Sequence, residues 1–189
     1  MAYLHVLCDG YVHEGDELRV GSTVGLVRDG DAIVVIDPGM VASLASILDP
    51  LSALGIAATE VTDVVISHHH PDHTVNIALF PNANIHDVQA TYRGDLWIDR
   101  PAEGFQVSPG VALIETPGHT PQDITTLVTT DDGVVAFTHL WWAADGPTED
   151  PYAPDRDLLR SNRERVLGVA SAVVPGHGSR FVPDEKTPR

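Results

Sequence analysis

The sequence predicts an α/β fold, a single-domain, four-layer αββα sandwich. Three observations carry that prediction. A chain of 189 residues lies below the roughly 250 at which chains usually split into separate cores. Its short apolar, β-branched runs fall into two β-rich halves, with helical segments beside them. Strand after strand then ends in a loop that carries histidine. Taken in order, the opening VLCDGY places Cys8 early in a strand, as a small buried hydrophobe. STVGLV and DAIVVID form a hairpin across Arg28-Asp29-Gly30-Asp31 and lead into Asp37-Pro38-Gly39. Through VASLASILDPLSALG, apolar residues recur at helical spacing at Val41, Leu44, Ala45 and Leu48. This predicts a helix that Pro50 limits or bends and Gly55 stops. VTDVVIS is a short buried strand that delivers the chain into HHHPDHTVN, and Pro81-Asn82 turns it toward a strand over 84–88.

Tyr92, Trp97 and Phe105 fall in a stretch without a clear pattern. GVALIETPGHT then reads as a strand entering a Pro-Gly loop, and ITTLVTT and GVVAFTH as two strands joined by Asp131-Asp132-Gly133. A polar, Pro-rich loop over 141–157 precedes a helix over 157–169, and SAVV runs into Pro175-Gly176-His177-Gly178. With no repeat or internal linker, the reading is one domain over 1–183 and a polar tail over 184–189.

Composition narrows the function. Hydrophobic residues make up 43% of the chain, enough for a core, with no run suited to a membrane span. The N-terminus lacks the basic and apolar regions of a signal peptide, so the expected compartment is the cytoplasm, with no membrane partner. One cysteine makes no internal disulfide and excludes a thiolate-rich zinc site, leaving His and carboxylate to hold any ion. A net charge of −16 with a single lysine, Lys186, disfavours nucleic acid, whose binding rests on basic residues at phosphates. The expected partner is a small-molecule substrate; a homodimer is left open.

The chemistry concentrates in Ser67-His68-His69-His70-Pro71-Asp72-His73, directly after an apolar strand. In extended backbone His68 and His70 share a parity and can point the same way. Past the proline-bent turn, Asp72 and His73 can approach from another side. Imidazole nitrogen and carboxylate oxygen suit zinc, iron and manganese, and two such groups close together make room for two ions. Thr116-Pro117-Gly118-His119-Thr120 and Val174-Pro175-Gly176-His177-Gly178 each add a histidine where glycine permits close backbone approach.

The pattern H-x-H-x-D-H, then P-G-H, then P-G-H-G, with I-D-P-G upstream, resembles the metallo-β-lactamase superfamily over nearly the whole chain. Within it the chain is most similar to the small metallo-β-lactamase-domain-containing protein one group. The resemblance implies that His68, His70 and His119 form a first metal site and Asp72, His73 and His177 a second. It also implies that Asp37 is the buried carboxylate that orients the metal loop; the other reading of Asp37 is a turn residue before Pro38. At one position the chain departs from the family. Many members carry Gly-Asp after the strand corresponding to 134–137, and that Asp bridges two ions. Here the residues are Phe137-Thr138-His139-Leu140. The bridging Asp aligns with His139 or Leu140, and Asp145 is near enough to substitute. As a ligand, His139 serves one ion but cannot clasp two ions about 3.5–4 Å apart. This predicts an asymmetric or partly occupied pair; the other reading of His139 is a structural strand-end residue.

The expected function is a metal-dependent hydrolase using one or two divalent ions, zinc first, with iron or manganese as alternatives. Bound water whose pKa falls from 15.7 to about 7 supplies a hydroxide nucleophile, with Asp72 as the catalytic proton shuttle. Trp141 and Trp142 either wall the substrate pocket or pack the sandwich edge. The expected substrate is a small carbonyl ester, lactone, thioester or amide. The group's implied ribonuclease activity keeps a phosphodiesterase as an alternative. A non-catalytic metal-binding module and iron-dependent oxygen chemistry are the others.

Overall fold

A computed structural model describes residues 1–189. In chain order the strands of the first half are β1 (Tyr3–Cys8), β2 (Tyr11–His13), β3 (Arg19–Gly21), β4 (Val24–Asp29) and β5 (Ala32–Ile36). Helix α1 (Ala45–Ala53), β6 (Asp63–Val65), the single-turn helix α2 (Pro71–Thr74), β7 (Asn84–His86), β8 (Ala90–Arg93) and β9 (Leu96–Asp99) follow. The second half holds β10 (Gln106–Ser108), β11 (Val111–Glu115), β12 (Ile124–Thr130), β13 (Gly133–Thr138), α3 (Arg156–Leu167) and β14 (Ala172–Pro175). One sheet runs β1-β4-β5-β6-β7-β8-β9, the other β10-β11-β12-β13-β14, and β2-β3 stands apart as a hairpin.

The period-2 alternation of strands assigns each side chain to a layer. Val34 and Ile36 of β5 join Val135 and Phe137 of β13 in the core between the sheets. The intervening Val35 faces outward with Ile47 and Leu51 of α1. On the other outer face, Ala136 packs with Leu159 and Val166 of α3 and Val173 of β14. The order is therefore helix, sheet, sheet, helix, the four-layer αββα sandwich. The sheets approach closely at Gly25, where a Cβ would overlap the Phe137 ring. At their edges, Asp29 Oδ2 accepts from Ser108 Oγ at 2.7 Å and Gly110 N at 2.6 Å. The Ser108 hydroxyl is the first cause that holds this carboxyl below its usual range.

Three local expectations are corrected. The helix after Gly39 begins at Ala45 and buries Ile47 and Leu51, whereas Leu44 is exposed. Pro50 lies inside it, where its ring removes one hydrogen bond of a short helix whose packing compensates. Cys8 ends β1 and is only half-buried, because it sits at a register shift where β1 leaves β4. The last residues, read as a polar tail, pack back: Thr187 is buried and the Pro188 carbonyl accepts from Trp141 Nε1 at 2.8 Å. No helix is long and apolar enough to cross a membrane.

α3 starts where Asp155 accepts from Asp157 N and Leu158 N, satisfying two of its free N–H groups. One face at i, i+3, i+4 and i+7 buries Leu159, Asn162, Arg163 and Val166. Arg163 is fully buried, and its guanidinium donates to the carbonyls of Leu140, Pro147 and Thr148 at 2.8, 2.9 and 2.7 Å. It thereby pins the loop that follows β13 over one end of the sandwich.

Candidate metal centre

β5, β6, β11, β13 and β14 all deliver their C-terminal ends to that same end of the molecule, and the chemistry sits there. β6 hands the chain to Ser67 and the histidines. His68 and His70 point together, their ring centroids 4.6 Å apart, while His69 turns away to Asp87 at 3.0 Å. Pro71, at the first position of α2, suits a helix start because its missing N–H would be unsatisfied there anyway. That turn presents Asp72 and a fully buried His73.

A histidine offers an inward lone pair only when its outward nitrogen holds the proton, and four rings meet that condition. His73 Nδ1 donates to Asp37 Oδ2 at 2.9 Å. His119 Nδ1 donates to Asp150 Oδ2 at 2.8 Å. His177 Nδ1 donates to the Gly21 carbonyl at 3.0 Å. His68 Nδ1 donates to Ser67 Oγ at 3.0 Å, and that hydroxyl in turn donates to Asp37 Oδ2 at 2.7 Å. Asp37 also accepts from Ser67 N at 2.6 Å. It therefore orients both the loop and two of its rings, and its left-handed backbone, φ 50°, is one that Asp tolerates.

The inward nitrogens converge. His119 Nε2 lies 3.1 Å from His70 Nδ1, and His177 Nε2 lies 3.0 Å from His139 Nε2. Asp72 Oδ2 is 3.5 Å from both His73 Nε2 and His177 Nε2. Those spacings approach the edge of about 3.3 Å expected between nitrogens bound tetrahedrally at about 2.0–2.1 Å. Two triads, His68-His119-His139 and His73-His139-His177, each bring their donor atoms within 4.8 Å of one another. Buried nitrogens His68 Nε2, His73 Nε2 and His139 Nδ1 have no hydrogen-bond partner. An unpartnered buried polar atom costs about 1–3 kcal/mol, and an ion would occupy the inward lone pairs of His68 Nε2 and His73 Nε2. The donor set, nitrogen and carboxylate oxygen without thiolate, fits a divalent cation.

Electrostatics agrees with neutral imidazoles facing inward. Burial, and then the neighbouring histidines, push His68 and His139 well below the ordinary imidazole range and His177 down to about 4. His73 goes the other way: burial lowers it, but the charge and hydrogen bond of Asp37 outweigh that. Asp123, pushed up to about 6 by burial, lies 4.0 Å from His68 Nδ1.

The structure thus brings together His68, His70, Asp72, His73, His119 and His177, and it places His139 in both triads. Of the three positions considered, His139 stands in the cluster, Leu140 is buried in the apolar core against α3, and Asp145 is exposed in the following loop. Trp141 is corrected. It is fully buried beneath Arg163, at 5.6 Å from the guanidinium, and does not line the cavity. Trp142 does line it and donates from Nε1 to Asp150 at 2.9 Å. Asp150 is the site residue that sequence reasoning missed. It lies in a Pro-rich loop with no spacing to mark it. Asp123 carried a fainter signal, standing three residues after Thr120 and accepting from its N and Oγ at 3.0 and 2.6 Å.

A cavity of about 660 Å³ opens over the histidines. Leu18, Val20 and Met40 form one wall, and Trp142 and Tyr152 another, with their rings stacked at 5.9 Å. Its charged lining residues are Glu14 and Asp72, and it contains no Lys or Arg.

Residues 18–179 match the model of the metallo-beta-lactamase superfamily. The Xenopus laevis metallo-beta-lactamase domain-containing protein 1 is 34% identical over 188 residues, covering 94% of this chain and 80% of its own length. The human protein of that name is 32% identical, covering 85% of this chain and 64% of its own length. Among solved structures, a Thermotoga maritima protein assigned to the metallo-beta-lactamases superposes with a TM-score of 0.76 at 21% identity, over 96% of this chain and 99% of its own. A quorum-quenching N-acyl homoserine lactone lactonase superposes with a TM-score of 0.67 at 19% identity, over 93% and 91%. At these identities the two structures speak to the fold.

Proposed function

The chain belongs to the metallo-beta-lactamase superfamily, and from that premise we propose that it is a metal-dependent hydrolase of a small, neutral carbonyl ester, lactone, thioester or amide. The observation that carries the reading is the set of four histidines whose outward nitrogens are held by Asp37, Ser67, Asp150 and the Gly21 carbonyl. Orientation of this kind fixes the tautomer and supports a ligand rather than a solvated loop. Zinc is the favoured ion for an N/O set held by histidines, with iron and manganese next. When bound, the ion lowers the pKa of water to about 7 and polarises the substrate oxygen.

The chain's own residues supply the rest. To Asp72, one-fifth exposed and lining the cavity, this reading gives the role of accepting the proton of the attacking water and returning it to the leaving group. Leu18, Met40, Trp142 and Tyr152 offer an apolar surface to one arm of the substrate. Beyond the charge an ion would supply, the lining offers no Lys or Arg and carries Glu14 at the wall, which supports a neutral arm on the substrate over a polyanionic one. The same chemistry, opening a lactone, names the lactonase neighbour.

The test is turnover of a lactone, a thioester, a β-lactam and a bis-aryl phosphodiester by zinc-loaded protein. Carbonyl-ester or lactone turnover is expected, lost on chelation and lowered at least about 100-fold in His70→Ala. Turnover of the phosphodiester alone would replace this reading with a nuclease. A folded, metal-loaded protein inert on the whole panel would favour a non-catalytic metal module.

A further inference from the structure

His139 differs from the other site histidines in ways that set how many ions the site holds. Each of His68, His73, His119 and His177 has a protein acceptor on its outward nitrogen. His139 has none: Nδ1 is buried without a partner, and Nε2 faces His177 Nε2 at 3.0 Å. Its ring stands at the centre of the cluster, with centroids 4.1 Å from His119, 4.7 Å from His68, 4.8 Å from His73 and 4.9 Å from His177. It fits there because residue 176 is glycine; a Cβ at Gly176 would overlap the His139 ring.

A neutral imidazole has one lone pair, yet the two triads share this one ring. Of its two nitrogens, Nε2 is the one within hydrogen-bond distance of another donor atom of the cluster, His177 Nε2 at 3.0 Å. The His177 proton is on Nδ1, so the facing Nε2 atoms of His177 and His139 address a common point. Asp72 Oδ2 lies 3.5 Å from His177 Nε2 and from His73 Nε2. Asp72, His73, His177 and His139 therefore make a four-donor set, which is the number a closed zinc-type site takes. His68, His70 and His119 are left with three.

Resting on the metal-dependent reading above, we infer that His139 makes the centre asymmetric: one ion is held tightly by Asp72, His73, His139 and His177, and the three-histidine set binds a second ion only weakly. A carboxylate at 139, with two oxygens, would instead serve both sets.

The test is metal content after chelator-treated protein is equilibrated with zinc and desalted into metal-free buffer, with thermal unfolding followed in parallel. Wild type is expected to retain one zinc per chain and His139→Asp two. His177→Ala is expected to lose the retained ion, with affinity down at least 10-fold, while His68→Ala keeps it. Two zinc ions retained equally by wild type and His139→Asp would overturn the inference and leave the metal-dependent reading standing. So would retention in His177→Ala with loss in His68→Ala, a comparison that does not need the His139 variant to fold. Retention of no metal by any folded variant would sink the metal-dependent reading itself.

Discussion

Alanine at Gly39 is expected to destabilise the chain by about 3 kcal/mol, at the upper end of the range for overpacking, and to abolish retention of zinc. Gly39 is buried under α2, and a Cβ there would overlap the Asp72 carbonyl and crowd the His73 Cα. Neither side can yield. The Asp72 carbonyl accepts from Met40 N at 2.9 Å, Asn76 Nδ2 donates to the Gly39 carbonyl at 2.7 Å, and Asn76 N donates to the Pro38 carbonyl at 2.9 Å. The added methyl must therefore lift the turn that carries Asp72 and His73 away from Asp37, so stability and metal binding fall together. Denaturant unfolding with zinc analysis on the folded fraction checks both. A variant as stable as wild type that still retains zinc would show that the turn moves freely.

Asparagine at Asp37 separates metal binding from bulk. The carboxylate accepts three hydrogen bonds, from Ser67 N, Ser67 Oγ and His73 Nδ1, and an amide has only one accepting oxygen. Wherever its NH₂ group points, it meets a donor. If it faces His73, the ring moves its proton to Nε2 and loses the lone pair that points into the cluster. In that place it also meets the Ser67 hydroxyl, and in the other place it leaves the Ser67 N–H without its acceptor. Zinc affinity is expected to fall about 10–100-fold, the usual cost of losing a partner that orients a ligand, together with about 1–3 kcal/mol of stability for the buried donor left unpaired. Competition with a chromophoric chelator measures the first and denaturant titration the second. Unchanged affinity would mean that Asp37 only closes a turn.

The layers were legible because the apolar strand runs fall into two halves with helical segments beside them, and β5 and β13, apolar at Val35 and Ala136 as well as at their neighbours, have both faces to bury. The donor cluster was legible because most of it lies within six residues, His68 to His73, with His119 and His177 beside glycine turns; His139 stood out only by its place at a strand end. What was not legible depends on tertiary contact. β2 and β3 are three-residue strands either side of a polar turn, too short for periodicity to show, yet β3 supplies the Gly21 carbonyl that orients His177. The buried face of α1 is set by the sheet it covers, so Ile47 and Leu51 won over the equally apolar Leu44. Trp141 and Trp142 are adjacent and chemically identical. Only the buried Arg163, which lies over the first and holds the loop, decides which of them faces the cavity.

The most direct test of the account follows the imidazole nitrogens of ¹⁵N-histidine-labelled, chelator-treated protein by NMR as zinc is added. The account predicts that the inward nitrogens of His73 and His177 shift first and saturate with one equivalent of zinc, while their outward nitrogens keep their protons on Asp37 and the Gly21 carbonyl. Resonances of the cluster that stay unmoved by excess zinc in folded protein would contradict it.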